Sequence, residues 1–285
     1  MTDIEHSGAA PLMTDTVQAE QAALRGERIL RIVIPLAMLA GLVALWAWFV
    51  RAYKVPKYIL PGPELVVQAL YNDWGILGPA LLVTLTITAQ ALLAALVGGV
   101  LIAIVFASSR WFEIALSPYM VILQVTPIVA IAPLILIYTS TTQQALLICA
   151  FVVAFFPVLS NTTQGLKSTD HNLLNLFDLY GASRWQTMIL LKLPAALPYF
   201  LAGLRIAGGL ALIAAVVAEF AAGSAGAGSG LAFRLLESQY RLNIPRLFAA
   251  LLLLCATGVA IYGATSLLSH LMLRRWHESA IRREN

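Results

Sequence analysis

The side chains that could do chemistry in this chain are few, and most of them cluster. Residues 164–178 read QGLKSTDHNLLNLFD and residues 179–200 read LYGASRWQTMILLKLPAALPYF. Together they place Lys167, Asp170, His171, Asp178, Arg184 and Lys192 inside a chain that is 60% hydrophobic. Catalysis accounts poorly for them. His6, His171, His270 and His277 form no metal-spaced cluster and no Ser–His–Asp grouping is readable, so neither a catalytic residue nor a metal site is expected. The run GSAGAGSG at 223–230 lacks the lysine of a phosphate-cradling G-x-x-x-x-G-K-S/T loop and reads as a turn beside a short helix. Cys149 and Cys255 each lie in an apolar run, where a free thiol behaves as a small hydrophobe.

The elements that carry this polar cluster belong to a membrane protein. Only 11% of the residues are charged and the mean hydropathy is +0.84, against about 25% charge in a soluble domain. A net charge of +4 then reads as cationic helix ends at a membrane surface, with no nucleic-acid partner. A spanning helix needs about 20 apolar residues. Segments near 30–50, 79–107, 114–139, 143–165, 195–220 and 245–273 meet or approach that length. The expectation is an all-α polytopic bundle of about six transmembrane helices. Residues 1–28 form a polar tail, 29–275 the membrane domain with a polar loop at 166–193, and 276–285 a second tail. The apolar run after the first tail is too long, and the tail too polar, for a cleaved signal peptide; a retained anchor is expected. With the N-terminus inside, eleven Lys and Arg face the cytoplasm and six the outside, with Arg205 left within a span, so both termini are expected to be cytoplasmic.

The polar loop then lies between spans 4 and 5, on the inner side. Asp170 can cap a short helix on which Leu173, Leu176, Phe177 and Tyr180 fall at helical spacing. Gly181 can take the left-handed conformation that ends it. Ser183 followed by Gln186 makes a capping-box pattern for a second helix, and Pro194 and Pro198 start the next span. One apolar stripe is left without a partner. From periodicity alone it could pack on the bundle, lie in the headgroups or meet another protein.

The segment GASRWQTMILLKLPAALPYFLAGLRI (181–206) resembles the loop signature of ATP-binding-cassette (ABC) importer permeases. Gly181, Leu191, Leu193 and Pro194 match. Asn175, Leu176 and Phe177 stand where the family usually has Glu-Ala-Ala. The segments LPGPELVVQAL (60–70), TPIVAIAPLILI (126–137), FFPVLSNTTQGL (155–166) and VVAEFAAGSAGAGSGLAF (216–233) are similar to the nitrate/sulfonate/taurine branch, so the likeness covers roughly residues 55–272. It implies a type I importer permease fold, a homodimer of this chain, two ABC ATPase subunits and a substrate-binding protein. It also implies a multi-pass location in the bacterial inner membrane. No cofactor belongs to this chain, because ATP is bound by the partner subunit. The loop would be the coupling helix, docking Leu173, Asn175, Leu176, Phe177, Asp178, Tyr180, Gly181, Ala182, Ser183 and Pro194 against the ATPase. Asp178, one turn beyond the position of Asn175, could supply the missing acid. The substrate could be nitrate, a sulfonate or taurine, bicarbonate, or an aromatic or pyrimidine compound.

Polar side chains within spans mark candidate positions on a transport path, because lipid is a poor environment for them. They are Gln124, Thr126, Arg205 and Glu219, with Gln90, Asn161, Thr162, Thr163 and Gln164 as further members; helix–helix hydrogen bonding is the alternative for each. Arg205 and Glu219 are fourteen residues apart on span 5, roughly 21 Å along a helix and within about 40° of the same face. Pro118, Pro127 and Pro133 should kink span 3 repeatedly. A secondary transporter is the alternative reading and a membrane enzyme a third. The first would need coupling-ion carboxylates near midplane, and Glu219 near a helix end is the one clear candidate.

Overall fold

A computed structural model describes residues 33–223 and 228–274. The expected tails at 1–28 and 276–285, and residues 224–227 of the Gly-rich run, lie outside the described residues. The chain divides into two units, one ending at Leu65 and one beginning at Val66. The first contains helix α1 (Val33–Ala52), long and apolar enough to cross a membrane.

The second unit carries the bundle. After α2 (Pro63–Asn72), which starts in the first unit, come α3 (Trp74–Ser108), α4 (Arg110–Val125), α5 (Ile128–Tyr138) and α6 (Thr142–Lys167). Then follow the short α7 (His171–Leu179), α8 (Arg184–Thr187) and α9 (Leu193–Ala222), the amphipathic α10 (Leu231–Tyr240) and α11 (Ile244–Leu273). Five described helices have the length and composition of spans, and α4 with α5 makes a sixth if counted together. The all-helical architecture follows from the solvent: in hydrocarbon, every backbone N–H and C=O must be satisfied within its own helix.

Helices α3, α6 and α9 form the core, and they approach through small residues. Ala91, Ala95 and Ala103 of α3, Ala150 and Ala154 of α6, and Ala207, Ala211 and Ala215 of α9 are fully buried. At Gly203 a Cβ would fall 2.7 Å from the Pro157 carbonyl oxygen and 2.8 Å from the Asn161 Cβ. At Gly165 it would fall 2.8 Å from the Tyr199 Cβ and 3.0 Å from the Ala196 Cα. Lipid tails are as apolar as leucine, so such close packing, rather than escape from water, holds the helices together. At the end of the bundle that bears α10, polar contacts add to it. The Asp73 carboxylate accepts from Arg246 Nε and NH2, both at 2.7 Å, joining the start of α3 to the first turn of α11.

Two expectations are corrected. Span 3 is not one helix with repeated kinks: α4 and α5 are separate and meet at 100°. Pro118 and Pro133 sit inside their helices, and the 100° change of direction between the two helices falls at the break at Thr126–Pro127. Pro127 lacks an N–H and disfavours helical backbone in the residue before it, and Thr126 is accordingly extended, at φ −71° and ψ 122°. Pro194 stands in the first turn of α9, as expected, but α9 is not separated from the helix before it. Helix runs unbroken from Arg184 to Ala222, 39 residues, through one π turn at Met188–Lys192. There the Leu193 N–H donates to the Met188 carbonyl, five residues back. The widened turn accommodates a pyrrolidine ring that a regular turn would reject.

Gly203→Val should destabilise the purified chain by about 1–3 kcal/mol, because the α6 backbone cannot yield to a side chain there. Gly209, which has nothing within 4 Å of a Cβ, should accept alanine with no loss. Thermal unfolding in detergent, with both variants side by side, checks this.

Candidate functional site: an exposed elbow and a polar cleft

The elbow at 170–187 is built by local hydrogen bonds. Asp170 Oδ1 accepts the Asn172 N–H at 2.7 Å and caps α7. At the other end Gly181 has φ +70°, the Gly181 N–H donates to Asp178 O, and the Ala182 N–H donates to Phe177 O, both at 3.0 Å. This is the two-bond arrangement that closes a helix on a left-handed residue. Ser183 Oγ then accepts the Gln186 N–H at 3.3 Å while Gln186 Oε1 accepts the Ser183 N–H at 2.7 Å, a complete capping box. Each junction expected from the sequence is present.

The stripe on α7 is left open to solvent over most of its length. No residue of α7 is fully buried. Phe177 and Leu174 are half-buried, whereas Leu173 and Leu176 are each 44% exposed and Tyr180 85%. Leu179 and Trp185, not part of the expected stripe, add 86% and 68% exposure to the same elbow. Asn175 is exposed. Asp178 lines a hollow beneath α7 together with Leu174, Ala182, Arg184 and Lys192. Its carboxylate therefore shares that hollow with two cations of its own chain. Pro194 lies just beyond the π turn, half-buried.

A second feature opens between α4 and α6, near the same end of the bundle. It is a cleft of about 510 Å³, lined by Glu113, Ser117, Met120 and Val121 from α4 and by Phe156, Leu159, Ser160, Thr163, Gln164 and Lys167 from α6. Phe106 of α3 and Ser168 complete it. Lys167 Nζ donates to Glu113 Oε1, an ion pair that ties α6 to α4. The Thr163 hydroxyl oxygen is buried without a hydrogen-bond partner.

The other candidates are dispersed. Gln124 is exposed on α4, and Thr126 sits at the break with its hydroxyl donating to Ile122 O at 2.5 Å. Gln90 is exposed, Asn161 Nδ2 donates to Pro157 O at 2.9 Å, and Thr162 is buried with no partner for its hydroxyl. The Arg205 guanidinium lies 5.7 Å from the Tyr262 ring centroid, a cation–π contact, and its Nε is buried without a hydrogen-bond partner.

Glu219 is 3% exposed and fully engaged. Its Oε1 accepts from the Thr84 hydroxyl at 3.0 Å, and its Oε2 accepts the Ala232 N–H at 2.9 Å and the Phe233 N–H at 3.4 Å. The Thr84 Oγ1 in turn accepts the Leu231 N–H at 2.9 Å. A carboxylate thus caps α10 from another helix, where the helix dipole favours negative charge. Gly230 makes room: a Cβ there would collide with the Glu219 carboxylate and the Thr84 hydroxyl. On α10 itself, the hydrogen bond from Arg234 holds the Glu237 carboxyl below its ordinary pKa, with Arg241 assisting.

Glu113, Thr84 and Gly230 were not singled out from the sequence. The stripe Ser160–Thr163–Gln164–Lys167 has helical spacing and could have been found by its period. Its partner Glu113, 54 residues away, could not.

The site is thus an exposed elbow, capped at both joints, on a bundle of candidate membrane spans. Residues 95–276 match the model of the binding-protein-dependent transport system inner membrane component, and the chain belongs to that family of ABC importer permeases. It is 31% identical over 241 residues to a probable ABC transporter permease protein of Haemophilus influenzae, covering 85% of this chain and 97% of that one. It is 32% identical over 242 residues, 84% and 88% of the two chains, to the riboflavin transport system permease protein of Chloroflexus aurantiacus. The formylaminopyrimidine transport permease protein of Halalkalibacterium halodurans is 30% identical over 233 residues, covering 81% of this chain and 91% of that relative. A crystal structure of an amino acid ABC transporter with histidines shares the fold, with a TM-score of 0.59 at 17% identity, over 73% of this chain and 97% of that one.

Two local outcomes follow. Gly181→Asn should keep the elbow, since asparagine tolerates the left-handed region, whereas Gly181→Val should cost about 1–3 kcal/mol locally. Amide hydrogen exchange over 171–186 should be unchanged in the first and faster in the second. Glu219→Ala should speed exchange at Ala232 and Phe233, consistent with losing a cap worth about 1–2 kcal/mol.

Proposed function

We propose that this chain forms the membrane path by which an importer moves a small solute, handed over by a binding protein, at the expense of ATP hydrolysed on a separate subunit. The observation that carries this is the elbow. Leu173, Leu176, Leu179, Tyr180 and Trp185 are all exposed on one projection, held rigid by caps at both joints. An apolar surface of that kind on the polar side of a membrane protein is a docking surface for a partner, and the family's ATPase is the partner it fits. Phe177, half-buried, supports the stripe from behind. Asn175 is exposed in place of the usual acid, and Asp178 lines the same hollow as Arg184 and Lys192. The contact with the ATPase therefore rests on apolar burial more than on a charge.

In this reading the elbow and both termini are cytoplasmic, in a bacterial inner membrane, and α10 lies on the outer side where the binding protein arrives. The active unit is a homodimer with two ATPase subunits. This chain binds no cofactor of its own. The substrate falls within the range that the relatives' names span, which includes riboflavin, formylaminopyrimidine, nitrate, aliphatic sulfonates and bicarbonate. Ion-coupled transport is the weaker reading, because Glu219, its one clear carboxylate, already serves as the cap of α10.

Purified alone, the chain should hydrolyse no ATP; with its ATPase it should form a two-plus-two complex by mass. Phe177→Asp and Leu176→Asp should lower complex yield by placing a charge in an apolar contact. Asn175→Glu should change it little if apolar burial dominates, and raise it if the missing acid matters. ATP hydrolysis by the isolated chain, or full assembly of both Asp variants, would overturn the reading.

A further inference from the structure

We propose that Glu219 is a positioning residue for transport: it clamps α10 to the outer end of the helix whose inner end is the elbow, so that a movement begun at the ATPase reaches the outer mouth. This rests on the importer reading and adds a mechanical path to it.

Continuity comes first. Helix runs unbroken from Arg184, the residue after the Ser183 cap of the elbow, to Ala222. Glu219 lies in its last turn, about 50 Å beyond Arg184 at the rise of a helix. The irregular part of this rod is the π turn at Met188–Lys192, close to the elbow. From Leu193 to Glu219 it is regular α-helix, which transmits displacement along its axis with little loss.

The outer joint comes next. Helix α10 has ten residues, below the roughly 12–15 at which an isolated helix holds in water. Gly230, at its N-cap position, provides no side-chain cap. A helix start leaves four N–H groups without partners in the helix itself, and here other helices take three of them. Leu231 donates to the Thr84 hydroxyl oxygen of α3, and Ala232 and Phe233 donate to the Glu219 carboxylate. The Thr84 hydroxyl donates in turn to Glu219, so both acceptors act as one unit.

The clamp fixes direction, which apolar contact does not. Leu231 and Ala232 are fully buried, and that burial keeps α10 on the bundle, but it is non-directional and lets a surface slide. Hydrogen bonds to a carboxylate are directional and stronger than neutral ones. Glu219 is almost fully buried, so water cannot replace α10 as its partner during a movement. Gly230 leaves no slack, since even a Cβ there would collide with both acceptors. When the outer end of α9 moves, the first turn of α10 has to follow. Such a contiguous path is needed for mechanical coupling, but only a measured response of the far element demonstrates it.

The test follows α9 and α10 separately in the complex with the ATPase, in lipid nanodiscs. With Cys149→Ala and Cys255→Ser as background, spin labels are attached at Ala221→Cys on α9 or at Gln239→Cys on α10, both exposed positions. Each label occurs twice in the two-plus-two complex, so dipolar spectroscopy reads the distance between copies. Exchanging ADP for a non-hydrolysable ATP analogue should shift the distance at both positions. In Glu219→Ala the shift at Ala221→Cys should remain, and that at Gln239→Cys should fall to less than half. Glu219→Gln, whose amide oxygen can still accept from Ala232 and Phe233, should keep both shifts. Thr84→Val, which leaves those two bonds in place, should lose less of the α10 shift than Glu219→Ala. A cap with a purely structural role would give faster amide exchange at Ala232 and Phe233 in Glu219→Ala with both shifts intact, and that result overturns the proposal. So does an α10 label that fails to respond in the otherwise unaltered complex, or an α10 shift lost equally in Glu219→Gln. Should Glu219→Ala not assemble, Thr84→Val decides: an undiminished α10 shift in it overturns the proposal. Failure of the importer reading would look different and would end the proposal with it: the unaltered chain would not assemble with the ATPase, or neither position would respond to nucleotide.

Discussion

At Gly203 the backbone of α9 comes so near to α6 that no side chain fits between them, and much of the molecule depends on that approach. The same helix holds Gly165 of α6 against Ala196 and receives α11 at Gly208, where a Cβ would meet Ile261 at 2.9 Å. In lipid no hydrophobic drive presses helices together, so contact must come from shape, and small residues allow the closest shape. Once α6 and α9 are set, their ends are set as well. One end fixes where the elbow projects and the other where Glu219 meets α10.

Around this rigid core the polar side chains fall into two groups. Some are wholly absorbed in architecture: Asp73 with Arg246, and Glu219 with Thr84 and the first turn of α10. Buried in an apolar setting, a carboxylate needs several donors to remain worthwhile, and Glu219 receives three. Others have no such engagement, among them the Thr163 hydroxyl and the Nε of Arg205. The distinction matters when polar residues in spans are read as transport residues. An acid near a helix end can be a cap from a neighbouring element, and only its partners tell the difference.

The joints lie where regular helix fails. Pro127 turns the chain through 100° without consuming a loop. A π turn carries helix past Pro194, and Gly181 ends α7 with positive φ. Each is a local backbone constraint, written in a proline or a glycine, yet each redirects a whole helix and so decides what the neighbouring side chains face.

Much of this was legible in the amino-acid order alone. Hydropathy determines the number of apolar segments, and with it the all-helical class, because a bilayer admits no unsatisfied backbone. The caps at Asp170, Gly181 and Ser183 were readable because capping is local, made by residues two to four apart. The family signature in 181–206 was readable for the same reason. What the tertiary structure alone decided is everything that joins distant residues. Span 3 is broken at Pro127, while Pro118 and Pro133 are carried inside helices, and nothing local in the sequence distinguishes the three prolines. Helix continues past Pro194 because a π turn relieves the ring. Glu113 meets Lys167 across 54 residues and Thr84 meets Glu219 across 135. Helical period reports which residues share a face, but carries no information about what lies opposite that face, and the chemistry of a cleft is made by both sides.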